Sequence, residues 1–337
     1  MKLKRLLKNK FNGIGLVFLL TVVIRIAVSF AAGYVQQQFP GLSDGLLTTI
    51  GQVCYALPGI VFLFLNRQEI KEIMHIRKLK FPSILLLFVI GVLMVPVMAF
   101  INGISLLFTE NAASPVMQSF VADNSWLYVI SIMALVPALF EEMIYRGVFF
   151  GTLRKAGLVV SMLVSGLLFG LLHMNMNQLC YAFVMGILMA MIVEITGSLF
   201  STMIIHFTIN GTTVSLTYLL SRLTPSVSQA ASTASIQTSG ILFAIVFYGI
   251  ISVFALAGII SLLYVICIAE GRTEVFQGIN PFCKTITREK NEAELGNTSK
   301  NVFSIPMILG ILICVVLIGI IFVKPVSYTH LTLPTIA

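Results

Sequence analysis

Nine long apolar runs dominate the sequence and restrict the folds that are open to it. A helix needs about 20 such residues to cross the hydrocarbon core of a bilayer. The 337 residues are also 58% hydrophobic and only 10% charged, which excludes a typical soluble domain. We therefore predict an all-α, polytopic membrane bundle of about eight or nine transmembrane helices, near residues 13–35, 46–65, 83–108, 126–152, 157–174, 179–196, 199–220, 240–268 and 302–323.

The basic residues are concentrated between alternate runs, and this distribution predicts the orientation of the chain. With a cytoplasmic N-terminus, segments 1–12, 66–82, 153–156 and 269–301 and the turn near Gly197 hold 17 of the 21 Lys and Arg residues. That asymmetry satisfies the positive-inside rule. The net charge of +8 is then a feature of topology and of contact with anionic lipid, so no nucleic-acid partner is expected. The compact loops favour a bacterial plasma membrane.

One membrane domain is predicted, since no soluble segment is long enough to fold alone. The loops 109–125 and 221–239 carry little charge and are expected to be external connectors. Residues 324–337 differ abruptly from the rest and resemble a translated sequencing adapter, so we expect a non-native tail and a missing natural C-terminus. The chain divides into N-terminal helices 1–120, a central core 121–220, C-terminal helices with a cytoplasmic linker 221–323, and the tail.

Two adjacent glutamates, Glu141 and Glu142, lie inside the fourth run, where a carboxylate is costly and suggests a functional site. Arg146 follows Glu142 by four residues, and at this spacing the two side chains share one helix face and can form an ion pair. Glu141 points elsewhere and lacks a local partner. It is therefore the carboxylate that can take and return a proton. Pro137 is expected to kink this helix and free a backbone carbonyl.

His173 is predicted to lie at the same depth as Glu141. The fourth and fifth runs form a hairpin that turns near Gly157, and both residues are 16 positions from that turn, or about 24 Å at 1.5 Å per residue. Gly166 and Gly170 share the face of His173 and would allow a neighbouring helix to approach closely. Phe169 lies one turn before His173.

The seventh run supplies His206 and Asn210, four residues apart on one face. Imidazole and amide donors opposite a carboxylate would suit the binding of an oxyanion. The count along the chain places His206 closer to the cytoplasm than His173, and a tilted or broken helix must close that gap. Each polar residue alone is more simply explained as an interhelical hydrogen bond. Three successive helices with such residues are harder to attribute to packing.

Other polar residues receive structural interpretations. We expect Arg25 to pair or to extend toward the interface, Glu194 to be an interface residue and His75 to be solvated in a basic loop. The five cysteines show no metal-type or redox spacing.

The motifs Glu141-Glu142-x-x-x-Arg146, Phe169-x-x-x-His173 and His206-x-x-x-Asn210, with Thr196-Gly197-Ser198-Leu199 before the third, resemble the CPBP family. These are the CAAX-processing and bacteriocin-processing intramembrane endopeptidases, also called the Abi family. The resemblance covers about residues 120–220. It implies hydrolysis of a peptide bond in a membrane-associated peptide or protein.

By this resemblance, Glu141 would activate water with help from His173, while His206 and Asn210 would stabilise the oxyanion. Glu142, Arg146 and Phe169 would support the site. A zinc ion held by Glu141, His173 and His206 is the alternative, but no His-Glu-x-x-His run is present, and a metal-free glutamic mechanism is favoured.

Two other classes of protein remain open on the sequence alone. The buried carboxylates would also serve a proton- or ion-coupled transporter, and the same chain could be a catalytically silent immunity or binding protein.

Overall fold

A computed structural model describes residues 10–39, 41–109, 113–223, 238–275 and 302–323, without the side chains of 113–116 and 238. No strand occurs within these ranges. The helices are α1 (Lys10–Gln38), α2 (Asp44–Leu65), α3 (Phe81–Ser105), α4 (Ala113–Asp123), α5 (Trp126–Ala156), α6 (Leu158–Leu172), α7 (Met176–Thr196), α8 (Leu199–Leu223), α9 (Thr238–Ala269) and α10 (Ile305–Val323). A 3₁₀ turn, Arg67–Glu69, and one helical turn, Ile70–Ile73, connect α2 to α3.

The predicted class of fold is confirmed. Seven of the helices, α1, α2, α3, α5, α7, α8 and α9, are long and apolar enough to cross a membrane. The shorter α6 and α10 are also apolar, so the nine predicted runs all correspond to helices. Many large apolar side chains are exposed on the bundle surface, as expected where lipid is the solvent. The chain is an integral multi-pass membrane protein.

The basic segments meet at one end of the bundle. Lys10 at the start of α1 and Lys155 at the end of α5 both pair with Glu69. Arg154 donates two hydrogen bonds of 2.8 Å to Glu194 near the end of α7, which confirms the interface role expected for that carboxylate. Arg77 bonds the backbone of Glu270 after α9. This common end is the one predicted to be cytoplasmic.

Two local predictions are wrong. The loop 109–125 contains the helix α4, which packs against α8 through Phe120 and Val121 near Val214. His75, expected to be solvated, is partly buried: its ring lies 5.9 Å from that of Phe150, and its carbonyl accepts the Leu199 N–H. Burial lowers the pKa of His75 below its ordinary value.

Several predicted segments lie wholly or largely outside the described residues. These are most of the cytoplasmic linker 269–301, the middle of the loop 221–239 and the tail 324–337. The division into domains stays a prediction.

Helix α5 is irregular on both sides of the glutamates. Ser131–Leu135 and Met143–Phe150 are π-helical, and Val136–Glu142 between them is α-helical. Pro137 has no N–H, so the carbonyl of Met133 four residues earlier loses its usual partner. The Asn210 side chain of α8 donates to this carbonyl at 3.4 Å. The expected effect of Pro137, a freed carbonyl, is thus present, and it links α5 to the helix that carries the third motif.

Glycines bring α6 and α7 into close contact. A Cβ atom on Gly186 would overlap the backbone of Gly166, and one on Gly170 would lie 3.0 Å from the Leu179 carbonyl oxygen. The close approach predicted for Gly166 and Gly170 is confirmed. It fixes the end of α6, and therefore His173, against the start of α7.

Candidate active site

Glu141 lies in the interior of the bundle, with 4% of its surface exposed. Its Oε1 atom accepts hydrogen bonds from Gln52 Nε2 at 3.3 Å and from the Tyr55 hydroxyl at 3.2 Å. The Tyr55 hydroxyl also contacts the Gln52 amide oxygen. Gln52 and Tyr55 belong to α2, which the motifs did not include. In the sequence, only the amide of Gln52 and the phenol of Tyr55 on a largely apolar helix could have indicated that α2 contributes to the site.

Glu142 faces away from Glu141, as predicted, and is fully buried. Its Oε1 atom lies 3.2 Å from Arg146 Nη1, which confirms the ion pair. The same oxygen lies 2.8 Å from His206 Nδ1 on α8. An ionised carboxylate only accepts, so Nδ1 carries the hydrogen. Glu142 therefore ties the first motif directly to the third.

Phe169 is the centre of an aromatic cluster that joins the three motifs. The Arg146 guanidinium lies 4.3 Å from the centre of its ring, a cation–π distance. The rings of His173 and His206 lie 5.1 Å and 6.3 Å from the same ring. Phe169 thus contacts both histidines and Arg146. Its supporting role in the site stays a prediction.

His173 directly follows the last residue of α6 rather than lying within a span. Met174 has a positive φ of 52°, and Asn175 caps α7 by accepting from the N–H groups of Asn177 and Gln178. Asn175 is a typical helix N-cap residue, so this break was readable from the sequence. The His173 Nδ1 atom lies 2.9 Å from the Phe169 carbonyl and must donate to it. In the neutral ring, Nε2 then keeps a lone pair that can accept a proton.

Asn210 connects the site to a cavity. It lines a space of about 290 Å³ between α3, α7, α8 and α9. One amide hydrogen is used by the Met133 carbonyl, which leaves the second for another acceptor. The polar side chains at this cavity include Asn102, Asn177, Gln178 and Thr213, among apolar ones such as Met98 and Met185.

Several buried polar atoms of the site have no hydrogen-bond partner among the described residues. They include Glu141 Oε2, the Tyr145 hydroxyl, His173 Nε2 and His206 Nε2, in addition to Glu142 Oε2 and the three Arg146 nitrogens. Both Tyr145 and His206 interact electrostatically with Glu141. Such groups cost about 1–3 kcal/mol each when buried without a partner, so their concentration points to a place that binds polar atoms. The motifs did not single out Tyr145, although it lies one turn after Glu141.

The described residues contain no group of three or more His, Cys, Asp or Glu side chains arranged to hold a metal ion. Glu141, His173 and His206, the alternative zinc ligands, do not form such a group. In each histidine Nδ1 is bonded, to the Phe169 carbonyl or to Glu142, while Nε2 has no partner among the described residues. Zinc-ligating histidines are oriented in the same way, so these hydrogen bonds do not decide between the two mechanisms, and metal dependence stays open to experiment.

Arg25 lies beside the site although its sequence neighbours carry no motif. Its guanidinium is 5.8 Å from the centre of the Tyr55 ring, and it interacts electrostatically with Glu141 and His173. Only 9% of Arg25 is exposed.

Residues 123–212 match the family model described as type II CAAX prenyl endopeptidase Rce1-like. The match confirms the resemblance to the CPBP and CAAX protease family and includes all three motifs. Comparison with curated proteins and with solved structures gave no significant match.

Proposed function

We propose that this chain, whose residues 123–212 carry the CAAX-type endopeptidase segment, cleaves a membrane-associated peptide or protein by a glutamate-activated water. The unpartnered buried atoms of Glu141, Tyr145, His173 and His206 are the observation that carries the proposal. A proton acceptor, a second base and hydrogen-bond donors within one enclosed site are what acyl transfer to water needs.

The cavity lined by Asn210 favours a peptide over an inorganic ion. A space of about 290 Å³ is far larger than one ion, and several of its polar groups are side-chain amides. Amides can pair with both the N–H and the carbonyl groups of an extended backbone. In an apolar surrounding, such pairing is needed because an unpaired peptide group costs several kcal/mol.

In the proposed reaction, Glu141 removes a proton from water, and the water oxygen attacks the carbonyl carbon of the scissile bond. His173, through Nε2, helps to hold this water. Asn210 donates to the oxyanion, and His206 also donates through Nε2 when its ring is doubly protonated. The C–N bond then breaks as the proton on Glu141 passes to the amine leaving group. The residues present complete this step without a metal.

Leader peptides, bacteriocins and regulatory membrane proteins are the substrate classes we propose for a bacterial host. Comparative proteomics of membranes from cells that express the native chain or its Glu141→Gln form tests the proposal. New peptide N-termini should occur only with the native chain and should persist when a chelator is present. Loss of the cleavages with chelator would overturn the metal-free mechanism. Identical N-termini in both samples would overturn proteolysis, and gradient-driven uptake without cleavage would favour a transporter.

Replacement of Asn210 by alanine should lower kcat about 10²–10³-fold with little change in KM, because an oxyanion donor acts chiefly in the transition state. Cleavage kinetics on a substrate from the proteomic screen would measure this. Thr217→Ala on the same helix is the matched control, since its hydroxyl bonds only the Thr213 carbonyl. A rise in KM at unchanged kcat would assign Asn210 to substrate binding instead.

A further inference from the structure

Arg25 is a buried cation with no ionic partner among the residues that the structure describes. Among the described residues its guanidinium lies over the Tyr55 ring, and the hydroxyl of that ring bonds Glu141. The nearby buried charges of Glu142 and Arg146, by contrast, are paired with each other. A charge at membrane depth is expensive and usually marks the path of a substrate or ion. Arg25 therefore needs an explanation beyond packing.

The depth of Arg25 excludes a lipid headgroup as its natural partner. It lies near the middle of α1, 15 residues from Lys10 and 13 from Gln38. At 1.5 Å per residue it is about 20 Å from either end of the helix, much farther than its side chain reaches. Lys10 marks the polar end because it pairs with Glu69. The anion must therefore come to Arg25 within the bundle.

We propose that Arg25 recognises a carboxylate of the peptide substrate. The planar guanidinium fork matches a carboxylate in two parallel hydrogen bonds, which are strong where water is excluded. The carboxylate belongs either to the C-terminus of the peptide or to an acidic side chain. Tyr55 contacts both Arg25 and Glu141, so the bound carboxylate would fix the scissile bond relative to the attacking water. This inference rests on the proposed peptide substrate.

Binding to the Glu141→Gln protein tests this role without any need for cleavage. The protein is placed in phosphatidylcholine nanodiscs and titrated with three fluorescent apolar peptides: an uncharged C-terminal amide, the same peptide with a free C-terminal carboxylate, and the amide with one internal glutamate. We expect at least one carboxylate peptide to bind about tenfold more tightly than the amide. Adding Arg25→Gln should remove that preference and leave the Kd of the amide unchanged. Arg25→Lys should restore part of it.

Arg222→Gln is the matched control, because Arg222 is exposed and bonds only the Ala122 carbonyl and the Tyr218 ring. An equal effect of Arg25→Gln on the binding of all three peptides would assign Arg25 a structural role and overturn the proposal. No preference for a carboxylate, or no binding of any peptide, would also overturn it. Competition by phosphatidylglycerol that disappears with Arg25→Gln would assign the residue to lipid phosphate. If the protein prefers a carboxylate peptide but cleaves no substrate, the proposed protease function is overturned, whereas the recognition of a carboxylate by Arg25 is supported.

Discussion

Replacement of Glu141 by glutamine is expected to lower the rate of cleavage by about 10²–10⁴-fold or more, the range for loss of a general base. Glutamine keeps the shape of the side chain but cannot take a proton from water. Its amide oxygen can still accept from Gln52 and Tyr55, so the bundle should remain folded. The removal of a buried charge should leave thermal stability equal or higher.

The measurement is a single-turnover rate on a purified substrate, with the unfolding temperature recorded on the same preparation. Glu194→Gln is the control, because Glu194 pairs with Arg154 at the basic end and should leave the rate close to that of the native chain. A Glu141→Gln protein that is well folded and fully active would exclude Glu141 as the base. His173 would then be the first alternative, since its Nε2 atom is also unpartnered.

The sequence predicted the class of fold because apolar length alone decides whether a segment can cross a bilayer. It also predicted the contact of Glu142 with Arg146, since residues four apart on a helix are neighbours whatever surrounds them. Both successes rest on local properties of the chain. The common site of Phe169, His173 and His206 was implied by the resemblance of the three motifs to one family, and their rings lie close together although the count along the chain left His206 at another depth.

Contacts between distant helices could not be predicted in the same way. Helix α2 is apolar nearly all round, so hydropathy does not say which face meets Glu141, and Gln52 and Tyr55 were missed. Arg25 was missed as a neighbour of the site for the same reason. His75 was misjudged because its charged neighbours suggest solvent, whereas Phe150 and Leu199 cover it. The short helix α4 was missed because it lacks the length of a span.

The Glu142–Arg146 ion pair stabilises the fold and also positions residues of the proposed active site. Arg146 holds Glu142, and Glu142 holds Nδ1 of His206, whose other nitrogen is the proposed second oxyanion donor. Arg146 is also covered by Phe169, which lies against His173. A change at Arg146 should therefore disturb two motifs at once, even though Arg146 itself takes no part in the proposed reaction.

Replacement of Arg146 by methionine is expected to lower the free energy of unfolding by about 3–5 kcal/mol. This is the usual cost of removing one member of a buried ion pair, because the other charge is left buried without a partner. Glu142 would remain fully buried beside His206 and would lose its guanidinium partner. SDS titration of the purified protein in mixed micelles measures this loss. Arg154→Met is the matched control, and its effect should be about 1 kcal/mol or less because the Arg154–Glu194 pair is partly exposed.

The double variant Glu142→Gln with Arg146→Met separates lost charge pairing from lost packing. Neither charge then remains, and the glutamine oxygen can still accept from His206 Nδ1, so most of the stability should return. Activity should return less completely, because the hydrogen bond that orients the His206 ring would no longer be made to a charged carboxylate. A double variant as unstable as Arg146→Met alone would mean that the packing of Arg146 on Phe169, rather than its charge, maintains the fold.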